Sequence, residues 1–288
     1  MPDNKEMTET GGKVWFVTGA SRGLGAAITG AALAAGNMVV AAARNPATVT
    51  NTLGEAGSRL LPVALDVTDA RAATEAVEAA VARFGRVDVL VNNAGYGLYG
   101  AFEEMTPEEV AQQFATNVFG LMSVTRAVLP VMRRQHSGRI LNIASVGGYR
   151  GSDRGSIYSA SKFAVEGFSE SLGIELAELG VRVTIVEPGF MRTDFLEHGS
   201  VRFGSNPIEE YAAGTAARRA FFAQRSGEQA GDPTKLGQAL VKLADDPEPP
   251  TRFQAGTDAM EGMRQKNAHV QAEMERWRAL SASTDFTE

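Results

Sequence analysis

The sequence predicts an α/β fold of the Rossmann type, in which helices cover both faces of a doubly wound parallel sheet. Three observations indicate this fold class. Short apolar, β-prone segments alternate with helical stretches along most of the chain, an order that gives right-handed crossovers and parallel strands. A glycine-rich turn joins the first such segment to the first helix, and short polar motifs follow several of the later segments.

The first half of the chain supplies four of the predicted strands. Residues 14–17 form an apolar run typical of a buried parallel strand. An Ala-rich helix is predicted over 23–35, and a second helix over 69–84, after the N-cap residue Thr68 and before Gly85. The remaining strands of this half are predicted over 39–43, 60–65 and 87–91.

The second half continues the alternation and closes the predicted domain, which spans residues 13–255. Within it, residues 190–231 show no clear strand, and we interpret them as a substrate-loop insertion. The predicted elements are one or two helices over 107–135, helices over 156–179 and 234–244, and strands over 139–144, 181–186 and 252–255.

The two ends of the chain differ from this domain. Residues 1–12 are polar and lack the apolar core of a signal peptide, so they are predicted to be a disordered lead-in. Residues 256–288 are predicted to be a terminal amphipathic helix and tail, because apolar side chains recur there mostly at helical spacing. We expect this stripe to pack on its own domain, with a dimer contact as the alternative. Its members are Met260, Met263, Val270, Met274 and Trp277.

Composition excludes several classes of protein. Hydrophobic residues make up 44% of the 288 residues and charged residues 22%, which argues against a wholly disordered chain. A formal net charge of −6 argues against nucleic-acid binding by bulk charge. The chain has no Cys, and its three His share no ligand spacing, so we expect no metal site. No apolar run is long enough for a membrane span, and we expect a cytoplasmic protein.

The glycine-rich turn, residues 18–25, lies between the first strand and the first helix. Glycines let the backbone approach a pyrophosphate closely, and the helix N-terminus offers free N–H groups and a partial positive charge. The turn therefore predicts a dinucleotide site. The residues expected to form it are Gly19, Ser21, Arg22, Gly23, Leu24 and Gly25.

The end of the second strand indicates which dinucleotide is bound. Sites that select NAD usually place an acidic residue there, on the adenosine ribose. This chain has Arg44 instead, with Arg22 as a second base in the glycine-rich turn. Two guanidinium groups without a carboxylate suit a 2′-phosphate, so we expect NADP(H) to be preferred over NAD(H).

Further motifs fall where predicted strands end. Asp66-Val67 and Asn92-Asn93-Ala94-Gly95 follow the third and fourth strands, and Ser145 follows the fifth. Tyr158-Ser159-Ala160-Ser161-Lys162 comes thirteen residues after Ser145. With the glycine-rich turn, this ordered set resembles the short-chain dehydrogenase/reductase family in its TGxxxGxG, NNAG and YxxxK form. The resemblance covers roughly residues 13 to 255.

The catalytic chemistry follows from the residue types. Tyr158 and Lys162 are four apart and therefore share a helix face. A nearby ammonium and a positively charged nicotinamide both favour phenolate, so we expect the Tyr158 pKa to fall below its usual value. Tyr158 is then the general acid towards a carbonyl or the base towards an alcohol. Ser145 is expected to hydrogen-bond the same substrate oxygen.

The family resemblance implies further roles. Lys162 also binds the nicotinamide ribose, and Asn117 supports a water that links Lys162 to solvent. Asp66 and Val67 lie beside the adenine, and the Pro188-Gly189 turn with Thr193 forms the nicotinamide side, where the threonine binds the carboxamide. The residues implied to line the adenine ribose and nearby cofactor backbone are Asn92, Ala94 and Gly95.

The substrate end is expected to be apolar. Aromatic residues follow Gly189 and the NNAG and Ser145 motifs, and such a mouth suits a hydrophobic ketone, aldehyde or secondary alcohol. The substrate contacts expected besides Ser145 are Tyr96, Tyr149, Phe190 and Phe195. The sequence therefore predicts an NADPH-dependent oxidoreductase, assembled as a homodimer or homotetramer by resemblance. The alternatives are a non-catalytic NADP-binding sensor and a sugar-nucleotide epimerase or dehydratase.

Overall fold

The computed structural model describes residues 12–54, 57–197 and 199–286. In these ranges the chain forms nine strands, and seven of them build one sheet. The strands are β1 Val14–Thr18, β2 Met38–Ala43, β3 Leu60–Ala64, β4 Val89–Asn92, β5 Gly97–Tyr99, β6 Gly138–Ile143, β7 Val181–Pro188, β8 Val201–Phe203 and β9 Arg252–Ala255.

The large sheet has the order β3–β2–β1–β4–β6–β7–β9, and every neighbouring pair in it is parallel. The chain moves outward from β1 to β3 and then returns to the other side of β1 for β4. This reversal of direction creates a crevice at the carboxyl ends of β1 and β4, where open α/β sheets bind ligands. The predicted fold class is confirmed.

Helices cover both faces of the sheet. They are α1 Gly23–Ala34, α2 Ala47–Leu53, α3 Ala70–Phe84, α4 Pro107–Phe114, α5 Leu121–Gln135, α6 Ser156–Leu176, α7 Glu209–Arg225, α8 Pro233–Asp245 and α9 Thr257–Ala282. Neighbouring residues of β1 point to opposite faces, as a strand requires. Phe16 joins the core under α3, α5 and α6, whereas Trp15 and Val17 join the core under α1 and α8.

Local sequence explains several helix ends. The Asp69 carboxylate accepts hydrogen bonds from the Arg71 and Ala72 backbone N–H groups at 2.8 and 3.2 Å. Asp69 is therefore the N-cap of α3, and the prediction of Thr68 in that role was wrong by one residue. At α4, the Thr106 hydroxyl and the Glu109 carboxylate form a capping box.

The predicted insertion over 190–231 has more structure than its sequence indicated. It contains β8 and the 17-residue helix α7. Strand β8 pairs in parallel with β5, so the two form a separate two-stranded sheet. Neither strand was predicted, because each has only three residues and depends on a partner far away in the sequence.

The terminal helix α9 begins on the domain and then leaves it. Its first turns bury Ala259, Gly262 and Met263. Met260, Met274 and Trp277 are 60, 61 and 50% exposed. The expectation that the whole apolar stripe packs on its own domain was therefore wrong, because only the first part of the helix contacts it.

Two further predictions concern the ends of the chain and the membrane. Residues 1–11 lie outside the described residues, and so does the predicted disorder of that lead-in. One helical run, Pro107–Gln135, is long and apolar enough to cross a membrane, with a mean hydropathy of 1.3. Of the 18-residue stretch of that run with this hydropathy, 44% is buried in the fold. The expected absence of a membrane span stays a prediction.

Candidate active site

A cleft of about 690 Å³ lies at the carboxyl edge of the large sheet. The glycine-rich turn after β1 and the loops after β2, β3, β4, β6 and β7 all contribute to its lining. Of the predicted site residues, all except Asn92, Asn117 and Tyr149 line this cleft. The motifs that the sequence separates by more than a hundred residues are therefore brought together in one place.

The glycine-rich turn has the geometry that a pyrophosphate needs. Gly19 has a φ of +65°, and a Cβ built on Gly25 would lie 2.1 Å from the Gly19 carbonyl oxygen. The N-cap residue Arg22 makes no side-chain capping bond, and the first turn of α1 has no acidic residue. The first N–H groups of α1 are therefore free for an anion, and this turn fits a dinucleotide phosphate.

Arg22 contacts a different partner from the one predicted. Its guanidinium donates to Asp194 Oδ2 at 3.1 Å and to Ser200 Oγ at 2.7 Å. The side chain thus joins the glycine-rich turn to the loop after β7. Arg22 lines the cleft, and its role beside Arg44 as a 2′-phosphate partner stays a prediction.

Arg44 stands at the end of β2, at the cleft, and no carboxylate among the described residues forms an ion pair with it. Nearby, Asp66 accepts hydrogen bonds from the Thr68 hydroxyl and backbone N–H at 2.7 and 3.0 Å. These bonds hold the Asp66 pKa below its usual value. Asp66 and Val67 both line the cleft, and their place beside the adenine stays a prediction.

The two neighbouring asparagines at the end of β4 have different roles. Asn92 is the last residue of the strand, and its buried amide donates to Thr125 and Asn142 at 2.9 and 2.8 Å. It fastens α5 to the sheet, so its prediction as a cofactor contact was wrong. Asn93 lies beyond the strand end and lines the cleft, where its amide donates to the Thr18 and Gly19 carbonyls.

The predicted catalytic residues lie together on α6 and the loop after β6. A Cβ built on Gly147 would lie 3.2 Å from the Tyr158 ring and 3.4 Å from Ser145 Oγ, so the two side chains lie side by side, and the Lys162 ammonium donates to the Ile143 carbonyl at 2.7 Å. Burial raises the Tyr158 pKa, and the nearby Ser145 hydroxyl offsets part of that rise. The predicted fall in the Tyr158 pKa depends on a bound nicotinamide as well as on Lys162, and it stays a prediction for the complex.

Lys162 is itself a perturbed base. Burial lowers its pKa to about 8, while the carboxylate of Glu166 opposes the change. Glu166 is one helical turn further along α6, and Arg252 of β9 donates to it at 2.8 Å. The same guanidinium reaches the buried Glu187 at 2.6 Å and the exposed Glu170 at 2.7 Å. Sequence reasoning missed this cluster, because α6 and β9 are distant in the chain.

Asn117 lies in a π-helical turn, Ala115–Gly120, between α4 and α5. Its amide accepts from the Tyr96 N–H at 3.1 Å and donates to the Tyr96 carbonyl at 2.9 Å. It therefore holds the loop after β4 in place through the backbone of Tyr96. A Cβ on Gly95 would lie 3.1 Å from Asn117 Oδ1 and 3.8 Å from Lys162 Nζ, so the two side chains meet at the same spot. A π-turn at such a position is typical of functional sites.

The loop after β7 is held by a residue that the sequence did not indicate. Asp258, in the first turn of α9, accepts a hydrogen bond from the Phe190 N–H at 2.8 Å. A Cβ on Gly189 would lie only 2.1 Å from its carboxylate. The Pro188-Gly189 turn and Thr193 line the cleft, and Asp258 fixes that turn. Their contact with the nicotinamide stays a prediction.

Aromatic rings close the far end of the cleft around Tyr158. The ring of Tyr99 lies 5.3 Å from Tyr158, and Phe195 lies 6.2 Å from it. Phe222 of α7 meets Tyr99 edge-on at 4.7 Å. Tyr99 and Phe222 were not predicted. Nothing local in the sequence indicates them, because Tyr99 is in the short strand β5 and Phe222 is in the insertion, and the two segments are distant in the chain.

Of the predicted substrate contacts, Tyr96, Phe190 and Phe195 line the cleft. Tyr149 does not. Its hydroxyl donates to Asn267 of α9 at 2.5 Å, and it borders a separate groove that Glu166 and Arg252 also line. The prediction of Tyr149 as a substrate contact was wrong, because the turn after Ser145 directs it towards α9.

Comparison with known proteins gives a consistent result. A model of the short chain dehydrogenase family matches residues 13–200. The 3-ketodihydrosphingosine reductase of Bacteroides thetaiotaomicron is 37% identical over 244 residues, which cover 85% of this chain and 88% of that protein.

Solved structures agree. The crystal structure of a short-chain dehydrogenase from Streptomyces avermitilis is 40% identical and has a TM-score of 0.87, covering 95% of this chain and all of that one. A short chain dehydrogenase/reductase from Burkholderia phymatum, crystallised with NAD, is 26% identical with a TM-score of 0.81. The match covers 93% of this chain and 97% of that chain.

Proposed function

The chain belongs to the short-chain dehydrogenase family, and on this premise we propose that it reduces a hydrophobic ketone or aldehyde with NADPH, reversibly. One observation carries the proposal. The cleft that holds a phosphate-binding helix end also holds Tyr158, Ser145 and Lys162, with aromatic rings around the tyrosine. The similarity to a 3-ketodihydrosphingosine reductase supports a ketone as the substrate group.

The residues divide the work of the reaction. When bound, the nicotinamide supplies or accepts the hydride. The Ser145 and Tyr158 hydroxyls donate hydrogen bonds to the carbonyl oxygen, and Tyr158 transfers its proton as that oxygen becomes an alcohol. The ammonium of Lys162 binds a ribose hydroxyl and stabilises the phenolate left behind. Tyr99 and Phe195 exclude water from the reacting carbon.

Consumption of reduced nicotinamide tests this function. Purified protein is mixed with NADPH and a panel of aryl and alkyl ketones and aldehydes, and absorbance is followed. Turnover that disappears in Tyr158→Phe supports the proposal. Tight NADPH binding without turnover of any carbonyl would instead indicate a sensor, and conversion of a sugar nucleotide without net cofactor consumption would indicate an epimerase.

The preference for NADPH rests on Arg44, which has no described carboxylate partner at the adenosine end of the cleft. Arg44→Asp should lower kcat/KM for NADPH about tenfold to a hundredfold, because a charge-assisted hydrogen bond is lost and like charges repel. NADH should be unharmed or improved, since a carboxylate accepts from a free 2′-hydroxyl. The measurement is kcat/KM for both cofactors.

Arg276→Asp is the matched control for Arg44→Asp. It makes the same charge change on an exposed arginine of α9, outside the cleft lining, and should leave the cofactor ratio unchanged. A wild type that already prefers NADH would contradict the role of Arg44. The cytoplasmic location and the homodimer or homotetramer remain part of the proposal, and gel filtration with light scattering tests the assembly.

A further inference from the structure

The cleft is strongly biased towards positive charge, although the chain as a whole is acidic. Among the described residues, its only acidic lining residues are Asp66 and Asp194. Asp194 forms an ion pair with Arg22, and Asp66 accepts hydrogen bonds from Thr68. The basic lining residues are Arg22, Arg44, Lys162, Arg150, Arg202 and Arg218.

Three of these arginines have no assigned role at the cofactor. Arg150, Arg202 and Arg218 line the cleft, and none forms an ion pair with a carboxylate in the part of the chain that the structure describes. Arg150 and Arg202 are exposed and therefore solvated, whereas Arg218 is partly buried, where a guanidinium without a carboxylate partner is costly unless a ligand completes it. The position of Arg218 is therefore informative about the substrate.

Arg218 is the most firmly placed of the three. It lies near the middle of α7, is half-buried, and donates to the carbonyl of Asp153 in the segment after Ser145. Its guanidinium lies 5.6 Å from the Phe221 ring and 5.5 Å from the Phe222 ring. Stacking on two rings leaves little freedom, so the unused N–H groups have a fixed direction.

The same rings connect Arg218 to the reacting centre. Phe222 contacts Tyr99, and Tyr99 contacts Tyr158, at 4.7 and 5.3 Å between ring centroids. A bound substrate whose carbonyl contacts Tyr158 would lie along this apolar wall, with its far end at the Arg218 guanidinium. Arg150 is in the segment that Arg218 touches and lines the same cleft, but its guanidinium lies against Gly262 of α9.

We propose that Arg218 binds a carboxylate on the substrate, so that the enzyme acts on keto acids in which an apolar spacer separates the two groups. This rests on the proposed function. A guanidinium fork matches the two oxygens of a carboxylate in a bidentate pair, and the aromatic wall between Arg218 and Tyr158 accommodates the spacer.

The test uses ω-benzoylalkanoates of several chain lengths and their methyl esters, which keep the ketone and remove the negative charge. Wild-type kcat/KM should favour the acid over its ester about tenfold or more at the best chain length. Arg218→Met, which keeps an apolar side chain on the two rings, should abolish that preference. Arg218→Lys should retain part of it as a point charge.

Arg219→Met is the matched control, because Arg219 is the next residue of α7 but stacks on Phe203 at 3.8 Å and lies outside the cleft lining. It should keep the wild-type preference for the acid. Equal rates for acid and ester, or an equal loss of preference in Arg219→Met, would overturn the subsite and leave the oxidoreductase proposal standing. No turnover of either compound or of any other carbonyl would overturn the proposed function.

Discussion

The Tyr158 hydroxyl is the group that moves a proton in the proposed reaction, and its surroundings keep that proton in place. Burial raises its pKa, and the nearby Ser145 hydroxyl offsets part of that rise. At neutral pH the side chain is therefore a neutral donor, ready to protonate a carbonyl oxygen. The neighbouring Tyr99 hydroxyl is also kept neutral by burial, which raises its pKa well above the usual value.

Tyr158→Phe should lower kcat about 10²- to 10⁴-fold, because the general acid is lost while the ring stays. Cofactor affinity, measured by fluorescence titration, should stay within a few-fold of wild type. Tyr99→Phe is the control, since it removes a hydroxyl from the adjacent ring. A Tyr158→Phe enzyme that kept more than about a tenth of its rate would exclude Tyr158 as the acid.

Glu166 provides a test of pH dependence. Burial raises its pKa to about 7, against the opposing hydrogen bond of Arg252. The folded protein therefore holds a proton that the unfolded chain releases above its ordinary value of 4.5. This contribution to stability is complete below that value and is lost as the pH rises through about 7.

Glu166→Gln removes this titration. We expect the unfolding free energy of wild type, relative to the variant, to be smaller at pH 8 than at pH 5, as measured by urea denaturation. Glu170→Gln is the control, because Glu170 binds the same arginine but is exposed. If the unfolding free energy of wild type instead increases relative to that of Glu166→Gln as the pH rises, the raised pKa of Glu166 is contradicted.

How well single residues were predicted depended on where their partners lie in the chain. Tyr158, Lys162 and Ser145 were found because helix spacing and the strand end fix their directions locally. Asn92 was misplaced because the last residue of β4 still points into the sheet, and only the next one leaves it. Asp258 could not be predicted, since nothing near it in the sequence indicates the turn that it holds.

At the scale of elements, α9 consists of two functional parts. Its first turns contact the domain and hold the Pro188-Gly189 turn through Asp258. From Arg264 onward nearly every residue is exposed, and that part carries the large apolar residues Met274, Trp277 and Leu280, each at least half exposed. This pattern favours the alternative stated from the sequence, a contact with another copy of the chain.

Two truncations separate these parts. A chain ending at Gln271 keeps Asp258 and the Tyr149 contact of Asn267, so its kcat and melting temperature should match wild type at low protein concentration. A chain ending at Gly256 should bind cofactor more weakly and melt earlier, because the turn after β7 loses its anchor. Scanning calorimetry and light scattering report both effects. If the full chain and the chain ending at Gln271 form the same oligomer, the exposed part of α9 has no role in assembly.

Elements of the central sheet were predicted because each carries its own apolar pattern and turn signals. The insertion was not, since β5 and β8 are three-residue strands whose hydrogen bonds come from each other. The different surroundings of the two parts of α9 were not predicted either. Both parts share one amphipathic pattern, although only the first part packs against the domain. Periodicity predicts a face but not what lies against it.

At the scale of the whole molecule, the cleft joins loops from six strands, so a bound dinucleotide would cross-link most of the sheet edge. At a hundred times its Kd, NADP⁺ should add about 2.7 kcal/mol to the unfolding free energy, or roughly 5 °C in Tm. NAD⁺ at the same concentration should add less, and Arg44→Asp should reverse the order. A larger shift with NAD⁺ in wild type would contradict the proposed cofactor preference.

The pairing of β5 with β8 also bears on how the chain reaches its folded state. It closes a loop of about a hundred residues, and that loop contains α6 and two strands of the large sheet. Because those elements must be in place before the ends meet, the pairing belongs among the last steps of folding. A ladder of three residue pairs is also among the first to open. We therefore expect the β5–β8 pairing beside the cleft to open before the large sheet does.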